Sequence, residues 1–414
     1  MSSTEDKVKK RRNKKVELVI SEVVSEAVID LAVPEMAQVK KDEIVDKIYT
    51  AVSLFSGMGG DTLGMTQAGC KVIAYNELKP TFCKTHHANF PDCELICDTI
   101  EDKKKSVTIN DISKVSDASF VKYKGKTDVL FAGFPCQGFS NAGKKAVDDP
   151  RNTLFLEFLR ATKLLEPSLI IGENVKGLLS RKTSTGELYI DVIVAEFEKI
   201  GYNVLYQVFK TEKFNVPQSR ERLIIIGVKK DNPYGWTPKL PREMNCKPNL
   251  KSIVTYSMEG AVKVDPNWFA EIPKECIITN LLDTKVYPDN NGAHPYLMSM
   301  INADEASRFY SGKQHDYLFS FAKRNSPIHC EIVDIRQPSK TIICTYDHQP
   351  RLYVPIQNAS GCYLRMFTTD ELKQIQGFPS DYIVCGNTKE KIVQIGNAVP
   401  PPLIKAVVEK IINK

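Results

Sequence analysis

The sequence lacks an uninterrupted apolar run of the roughly 20 residues that a membrane-spanning helix needs. It contains 11 cysteines, but they lack the regular spacing of a secreted disulfide framework. A basic stretch and then an apolar one near the N-terminus suggest a signal peptide, but Glu17, Glu22, Glu26 and Asp30 interrupt the apolar part. These absences predict a globular protein of a reducing compartment with no membrane span.

The composition leaves room for more than one domain. Of 414 residues, 42% are apolar and 26% are charged, which is ordinary for a folded chain. The net charge of +6 is small and unevenly spread, with a dense basic cluster over residues 7–15. Such a cluster is typical of a nucleic-acid arm or a nuclear address, and equally of a solvated, disordered tail. We expect residues 1–47 to be a basic, partly disordered tail that includes a short amphipathic helix.

From residue 50 onward, apolar strands alternate with helical segments. The predicted strands cover residues 50–54, 72–76, 94–97, 128–132, 168–172, 203–209 and 222–228. The predicted helices between them cover residues 61–68, 80–89, 153–165 and 188–200. Strands rich in Val, Ile and Leu with helical crossovers indicate a mostly parallel sheet covered on both faces. The predicted fold class is therefore α/β, with a doubly wound sheet.

The alternation stops near Lys229. Residues 231–329 are rich in Pro and Asn and show no clear period, which predicts a smaller, irregular domain inserted into the chain. A new pattern begins at Asp334, and residues 368–371 have the capping residue and early acids of a helix start. The final predicted helix covers residues 403–412. We expect domains over residues 48–230 and 231–385, and a segment over residues 386–414 that returns to the first domain.

Three successive strand ends carry the residues of a nucleoside site. The glycine-rich residues 55–60 follow the first strand and open a helix, where a ligand can lie against the backbone. Glu77 ends the second strand, where an acid can accept ribose hydroxyls. Asp98 is predicted to end the third strand, where it can accept a hydrogen bond from an adenine amino group. The pattern favours an adenosine-containing cofactor over a glycine-rich helix entry with two solvated acids, and leaves the choice between a nicotinamide cofactor and S-adenosyl-L-methionine open.

Cys136 has the setting of a nucleophile. It lies in Gly133-Phe-Pro-Cys-Gln-Gly-Phe-Ser140, directly after the predicted strand 128–132. Strand ends are where open α/β sheets place ligand sites, and Pro135 stiffens the turn. The alternative is a small buried core thiol, which is the commoner state of cysteine.

Two further strand ends carry groups of opposite charge. Glu173 follows the predicted strand 168–172, where partial desolvation favours its protonated form. Arg220 and Arg222 are two residues apart on an extended segment, which points both the same way, and such a pair suits a carboxylate or an oxyanion. A helix cap or surface ion pair for Glu173, and structural salt bridges for the arginines, are the alternatives.

Together these segments resemble the cytosine-C5 DNA methyltransferase family, and the resemblance covers almost everything from Thr50 to Lys414. Its ordered markers are residues 55–60, Glu77, Asp98, residues 133–137, residues 173–175, residues 218–222, residues 336–341 and residues 396–400. The resemblance implies a Rossmann-like, S-adenosylmethionine-dependent methyltransferase fold with S-adenosyl-L-methionine as methyl donor. It implies that Cys136 is the nucleophile, that Glu173 engages the base, and that Arg222 supports both. The positions matching the family's cofactor pocket are Phe55, Gly57, Met58, Gly59, Glu77, Asp98, Pro135, Leu154, Asn397 and Val399. Leu78 and Thr99 depart from the family pattern, where many members have an aromatic and an aliphatic residue.

The resemblance also implies a substrate and a setting. Double-stranded DNA is the expected partner, and residues 231–385 hold the expected target-recognition domain and hinge. Stand-alone action predicts a monomeric modification enzyme of a restriction–modification system or a virus, cytoplasmic or nucleoid-associated, or nuclear in a eukaryotic host. The residues expected to contact phosphates are Arg308, Lys313, Lys323, Arg324 and Arg351.

Three alternatives remain at this stage. The first is a tRNA cytosine-C5 methyltransferase of the same fold, although its usual Cys-Phe-Thr segment is absent from residues 231–329. The second is a catalytically silent DNA-binding protein, for which Cys136, Glu173 and Arg222 would have no chemical use. The third is a metal site, disfavoured because its candidate ligands match no common zinc spacing; those candidates are Cys83, His86, His87, Cys93 and Cys97.

Overall fold

The computed structural model describes residues 47–102, 105–135, 154–183, 185–264, 266–270, 272–287, 331–347 and 351–413. Cys136 and the basic cluster 7–15 therefore lie outside the described residues. So do four of the five expected phosphate contacts, Arg308, Lys313, Lys323 and Arg324. The chain divides into two units after Lys47, and every element below lies in the second unit, Ile48–Lys414. No helix among the described residues has the length and apolar character to cross a membrane.

Strands and helices alternate in the first half of the described chain. The strands are β1 (Thr50–Leu54), β2 (Lys71–Asn76), β3 (Glu94–Leu95), β4 (Asp98–Asp102), β5 (Lys105–Ile109), β6 (Val129–Ala132), β7 (Leu169–Asn174), β8 (Tyr202–Lys210), β9 (Gln218–Ser219) and β10 (Glu221–Lys229). The helices are α1 (Gly60–Gln67), α2 (Pro80–Asn89), α3 (Asp117–Val121), α4 (Leu154–Leu165) and α5 (Tyr189–Lys199). The predicted strands and helices are confirmed here, with ends that move by a few residues.

The second half has shorter strands and three helices near its end. The strands are β11 (Val262–Val264), β12 (Ile278–Asn280), β13 (Glu331–Ile332), β14 (Ser339–Lys340), β15 (Leu352–Asn358) and β16 (Gly361–Arg365). The helices are α6 (Thr369–Ile375), α7 (Thr388–Asn397) and α8 (Pro401–Ile412).

A seven-stranded sheet forms the centre, in the order β3-β2-β1-β6-β7-β10-β8. Five neighbours in this sheet are parallel to one another, namely β3, β2, β1, β6 and β7. Strand β10 is antiparallel to both β7 and β8. An antiparallel neighbour needs only a short connection, whereas a parallel one needs a crossover. The chain order reverses between β1 and β6, and the carboxyl ends of these neighbours are level, with Leu54 opposite Ala132. Ligands bind at such a switch point in open α/β sheets.

Helices cover both faces of this sheet. Adjacent residues of β6 belong to different clusters, because successive side chains of a strand point to opposite faces. Leu130 packs with Phe158 and Phe197 of helices α4 and α5. Phe131 packs in a second cluster with Val407 of α8. The doubly wound, mostly parallel α/β fold is therefore confirmed.

A second, smaller sheet has the order β11-β16-β15-β12, with β13 also pairing with β15. The sequence predicted no regular structure over residues 231–329, but β11 and β12 lie there. Each is three residues long, which is too short for a period to be visible, and each pairs with a strand more than 70 residues later in the chain. The pairing is thus set by tertiary contacts.

The start of α6 is confirmed in detail. The Thr368 side chain accepts a hydrogen bond from the backbone N–H of Glu371, and the Glu371 carboxylate accepts one from the N–H of Thr368, which is a capping box. The same carboxylate forms an ion pair with Arg365 at 2.7 Å, with 0% and 3% of the two side chains exposed. Arg365 also donates to the carbonyl oxygens of Thr255 and Ser257. This buried charge pair fixes α6 against the second sheet.

Candidate active site

The glycine-rich loop after β1 presents an open backbone surface. Gly57 has φ of 57° and no atom within 4 Å of where a Cβ would lie, so a ligand can approach the loop there. On the other side the loop is tightly packed, because a Cβ on Gly60 would lie 2.1 Å from the carbonyl oxygen of Val399. Gly59 also adopts a left-handed φ of 89°, which favours glycine. The loop is therefore shaped for close backbone approach on one side only.

Glu77 lies directly beside this loop. Its Oε2 accepts a hydrogen bond from Gly57 N at 3.0 Å, and its Oε1 accepts one from Lys79 N at 2.8 Å. Burial raises the pKa of Glu77, and the two backbone donors oppose that shift. Asn110 donates to the carbonyl oxygens of Glu77 and Leu78, at 2.7 and 2.9 Å, and so holds the segment in place. Sequence reasoning missed Asn110, since nothing local connects it to a residue 33 positions earlier.

Asp98 occupies a different place from the one predicted. Strand β3 ends at Leu95, and Asp98 begins the hairpin of β4 and β5. Its carboxylate accepts hydrogen bonds from the Ser119 hydroxyl at 2.6 Å and from the N–H and hydroxyl of Ser116 at 2.8 and 3.0 Å. These bonds, Ser119 first, lower the pKa of Asp98. The carboxylate thus anchors the start of α3, and its contact with a cofactor stays a prediction.

The remaining positions that are predicted to bind the cofactor differ in how exposed they are. A Cβ on Gly133 would lie 3.7 Å from Val399 Cγ2 and 3.8 Å from Phe55 O, so the loop after β1, the turn after β6 and the segment after α7 meet at one point. The Met58 side chain is buried in the cluster beside the second sheet, and its carbonyl accepts a hydrogen bond from Tyr382. Any contact of Met58 with a ligand would therefore come from its backbone. Phe55, Pro135, Leu154 and Val399 are half-buried, and Asn397 is exposed.

Glu173 and Arg222 form a buried ion pair at the ends of neighbouring strands. Arg222 Nε lies 2.7 Å from Glu173 Oε1. Strands β7 and β10 are antiparallel with Glu173 opposite Ile224, which puts Arg222 one pleat away on the same face. Burial raises the pKa of Glu173, and the Arg222 charge opposes that rise. The result is a carboxyl group held in a fixed orientation, with a pKa above its ordinary value.

The turn that leads to Cys136 lies beside this pair. Asn174, the residue after Glu173, donates from Nδ2 to Phe134 O at 3.0 Å. Strands β6 and β7 are parallel neighbours with Ala132 opposite Gly172. The described chain therefore brings Phe134, two residues before Cys136, against Asn174, the residue after Glu173.

Arg220 has a different role from Arg222. Its Nη1 donates to Ile342 O at 3.2 Å and to Gly396 O at 3.1 Å, and it is buried. Arg220 lies between strand β9, which ends at Ser219, and strand β10, which begins at Glu221, and its partners differ from the Glu173 carboxylate that Arg222 contacts. The two arginines therefore do not form one anion-binding pair.

Buried polar side chains lie beneath the glycine-rich loop, and sequence reasoning did not single them out as a group. Asp61, at the start of α1, accepts hydrogen bonds from the hydroxyls of Ser53 and Ser56. Burial raises the pKa of Asp61 to about 7. His86 shares a hydrogen bond with Thr62 at 2.9 Å, and burial lowers the pKa of His86 to about 3. The sequence signal that could have identified Asp61 is an acidic residue directly after Gly60, in the first turn of a helix.

Two of the candidate metal ligands, His86 and Cys83, form hydrogen bonds within the protein. Besides the bond of His86 to Thr62, the Cys83 thiol donates to Glu77 O at 3.3 Å. Within the described ranges, no three His, Cys, Asp or Glu side chains are grouped as metal ligands would be.

Comparisons with known proteins show which family the chain is similar to. The family model described as C-5 cytosine-specific DNA methylase matches residues 49–413. The Type II methyltransferase M.Eco47II of Escherichia coli is 30% identical over 380 residues, which cover 90% of this chain and 80% of that protein. The Type II methyltransferase M.PspPI of Psychrobacter sp. (strain TA137) is 32% identical over 371 residues, covering 88% of this chain and 79% of its own.

Solved structures show the same architecture at lower identity. The Entamoeba histolytica methyltransferase EhMeth superposes with a TM-score of 0.55 and 16% identity, over 88% of this chain and 97% of its own. At that identity the similarity concerns the fold alone.

Proposed function

The chain belongs to the C-5 cytosine-specific DNA methylase family, and from this premise we propose that it transfers a methyl group from S-adenosyl-L-methionine to C5 of a flipped-out cytosine in double-stranded DNA. The observation that carries the proposal is the buried ion pair of Glu173 and Arg222 beside the turn that leads to Cys136. This arrangement supplies an acid, a fixed cation and the approach to a thiol at one sheet edge.

The residues present fit the cofactor. The uncovered backbone at Gly57 lies beside the Glu77 carboxylate, which still has lone pairs for ribose hydroxyls. Phe55, Gly133 and Val399 meet around the same point. When bound there, S-adenosyl-L-methionine supplies an electrophilic methyl group on a sulfonium. The cofactor-binding role extends to Met58, Gly59, Asp98, Pro135, Leu154 and Asn397.

The proposed chemistry begins with the Cys136 thiolate. Cytosine C5 is a poor nucleophile, so the thiolate attacks C6, forms a C–S bond and moves electron density toward C5 and N3. A free thiol has a pKa of about 8.5, so the site must remove the proton or lower that value. This step needs an extruded base, and flipping costs a few kcal/mol.

Glu173 neutralises the density that develops at N3. Its protonated carboxyl donates a hydrogen bond to N3, and Arg222 keeps the carboxyl in place. After C5 gains the methyl group, the C5 proton passes to solvent water, the C5=C6 bond re-forms and the Cys136 thiolate leaves, with S-adenosyl-L-homocysteine as the second product. The free enzyme is thereby regenerated.

The proposal extends to the biological setting. The relatives reported above are named Type II methyltransferases, which supports a sequence-specific modification enzyme of a restriction–modification system. We propose that it binds double-stranded DNA as a monomer, in the cytoplasm or at the nucleoid.

Uptake of tritiated methyl groups from S-adenosyl-L-methionine tests the proposal directly. We expect incorporation into duplex DNA and none into tRNA, with bisulfite sequencing locating the modified cytosines in one short sequence. Incorporation into tRNA alone would establish the RNA-acting alternative. Incorporation into neither, with a folded protein, would contradict the proposed activity.

A further inference from the structure

We propose that Gln376 is a positioning residue that sets the place of the cofactor-binding segment 397–399 relative to strand β9, which leads into the strand that carries Arg222. The inference rests on the proposed function, because it assigns that segment to the cofactor. It concerns a fully buried side chain, 0% exposed, at the end of α6.

The amide of Gln376 joins two other parts of the chain. Its Nε2 donates to Ala398 O at 2.6 Å. Its Oε1 accepts a hydrogen bond from Nε2 of Gln218, and Oε1 of Gln218 accepts one from Ile342 N at 3.0 Å. Gln218 is also fully buried. Two amides in series thus connect Ala398 to strand β9 and to Ile342, which lies two residues after β14.

The polarity of this path is fixed at both ends. Ala398 O can only accept and Ile342 N can only donate, so each amide between them has one possible orientation. Only a side chain with a donor on one side and an acceptor on the other completes the path. A hydrocarbon of similar size at position 376 would leave Ala398 O and Gln218 Nε2 buried without partners.

Both ends of the path lie next to functional groups. Ala398 stands between Asn397 and Val399, and the Val399 carbonyl is the atom that leaves no room for a Cβ on Gly60. A small shift of Ala398 therefore changes the fit of this segment against the glycine-rich loop. At the other end, Gln218 is four residues before Arg222.

Arg220 provides a second, parallel connection. It donates to Gly396 O and Ile342 O, so residues 218 and 220 both connect to the end of α7. Of the two routes, the one through Gln376 alone reaches the carbonyl between the two cofactor positions, which is why Gln376 is the residue we assign.

The first test compares Gln376→Met with Gln394→Met. Gln394 is a matched control, since it is 1% exposed, lies in α7 and donates from Nε2 to Cys385 O at 2.7 Å. Both variants lose a buried amide-to-carbonyl hydrogen bond, and Gln376→Met also leaves Gln218 Nε2 without its partner, so both should melt at lowered temperatures and Gln376→Met at the lower one. By calorimetry we expect the affinity for S-adenosyl-L-methionine to fall roughly tenfold in Gln376→Met and to change little in Gln394→Met.

A double-mutant cycle separates positioning from a merely structural role. If the two amides act in series, Gln218→Met and Gln376→Met together weaken cofactor binding no more than the worse single variant. Additive losses, or equal affinities in Gln376→Met and Gln394→Met, would overturn the assignment. Should Gln376→Met not fold, Gln218→Met compared with Gln394→Met decides by the same measurement.

Catalytic measurements then distinguish this inference from the proposed function. Exchange of the cytosine C5 hydrogen with solvent reports thiolate attack without a methyl donor, and we expect it to stay within about threefold in Gln376→Met. Single-turnover methyl transfer at saturating cofactor should fall roughly tenfold. If wild-type protein transfers no methyl group, the proposed function fails, whereas the binding comparison still decides on Gln376.

Discussion

Arg222 Nε lies 2.7 Å from Glu173 Oε1, and only 12% and 11% of the two side chains is exposed. The carboxyl group that we propose donates to the cytosine base is thereby held by a permanent cation. The pair joins the last residues of strand β7 to the first residues of strand β10, where the sheet becomes antiparallel. Because the charges are desolvated, losing one partner is far more costly than losing an exposed ion pair.

The first prediction concerns Arg222→Ala. The Arg222 charge opposes the rise in the pKa of Glu173 that burial causes. Without the guanidinium this pKa therefore rises further, and the carboxyl loses its orientation. We expect a loss of stability of about 3–5 kcal/mol and a fall in single-turnover methyl transfer of roughly a hundredfold or more. Urea denaturation and rapid-quench assays measure the two effects.

Arg160→Ala is the matched control. Arg160 pairs with Glu157 and Asp117 on helices α4 and α3, where it is partly exposed, and it donates to the carbonyl oxygens of Ile112 and Val115. Its loss should cost about 1–3 kcal/mol and leave turnover unchanged. Wild-type turnover in a folded Arg222→Ala protein would remove the role proposed for Arg222.

The second prediction concerns Gly60→Ala. The new Cβ would lie 2.1 Å from Val399 O and 3.0 Å from the Phe378 ring, so the segment after α7 must move. We expect a stability loss of about 1–3 kcal/mol and a fall in affinity for S-adenosyl-L-methionine of roughly tenfold, measured by calorimetry.

Gly69→Ala separates crowding from backbone strain. Gly69 has φ of 90° and no atom within 4 Å of a new Cβ. It should lose about 1–2 kcal/mol from the left-handed backbone alone and keep its cofactor affinity. Equal affinities in the two variants would mean that the contact between Gly60 and Val399 does not shape the cofactor site.

The sequence predicts much of this arrangement because the relevant signals are local. The glycine-rich loop, Glu77 and the turn before Cys136 each follow an apolar strand, and parallel strands bring their carboxyl ends to one edge. Helix α2 was predicted with its final bounds, since Pro80 at its first position marks the start. The place of Glu173 at a strand end was predicted in the same way.

What the sequence did not predict depends on contacts between distant residues. Arg220 differs from Arg222 because it donates to the carbonyl oxygens of Ile342 and Gly396, and Gly396 lies 176 positions away. Gln376 and Gln218 are 158 positions apart, so no local pattern connects them. Asp98 was misplaced by one strand because the short β3 and the hairpin that follows have no distinct apolar period.

The third prediction is a pH dependence from Asp61. Its pKa is about 7 in the folded protein against an ordinary 3.8, so between these values the folded state holds a proton that the unfolded state has lost. The stabilising contribution is therefore complete below pH 4, declines as pH rises and is gone above about pH 7.

Asp61→Asn removes this titration. From pH 5 to pH 8 we expect the free energy of unfolding of the wild type to fall by about 2–3 kcal/mol more than that of Asp61→Asn, as measured by urea denaturation. The comparison cancels other titrating groups, such as Glu77 and Glu173, which are common to both proteins. Parallel pH profiles would show that Asp61 is ionised in the folded protein at low pH.

The most direct test of the central claim uses duplex DNA that contains 5-fluorocytosine. Fluorine at C5 cannot leave as a proton does, so the bond between Cys136 and C6 should persist after methyl transfer. With S-adenosyl-L-methionine present, the wild-type protein should yield a denaturant-resistant DNA adduct at its recognition sequence, with Cys136 as the modified residue by mass spectrometry, and Cys136→Ser should yield none. An adduct that forms equally in Cys136→Ser, or methyl transfer by wild-type protein that never leaves an adduct, would contradict the account.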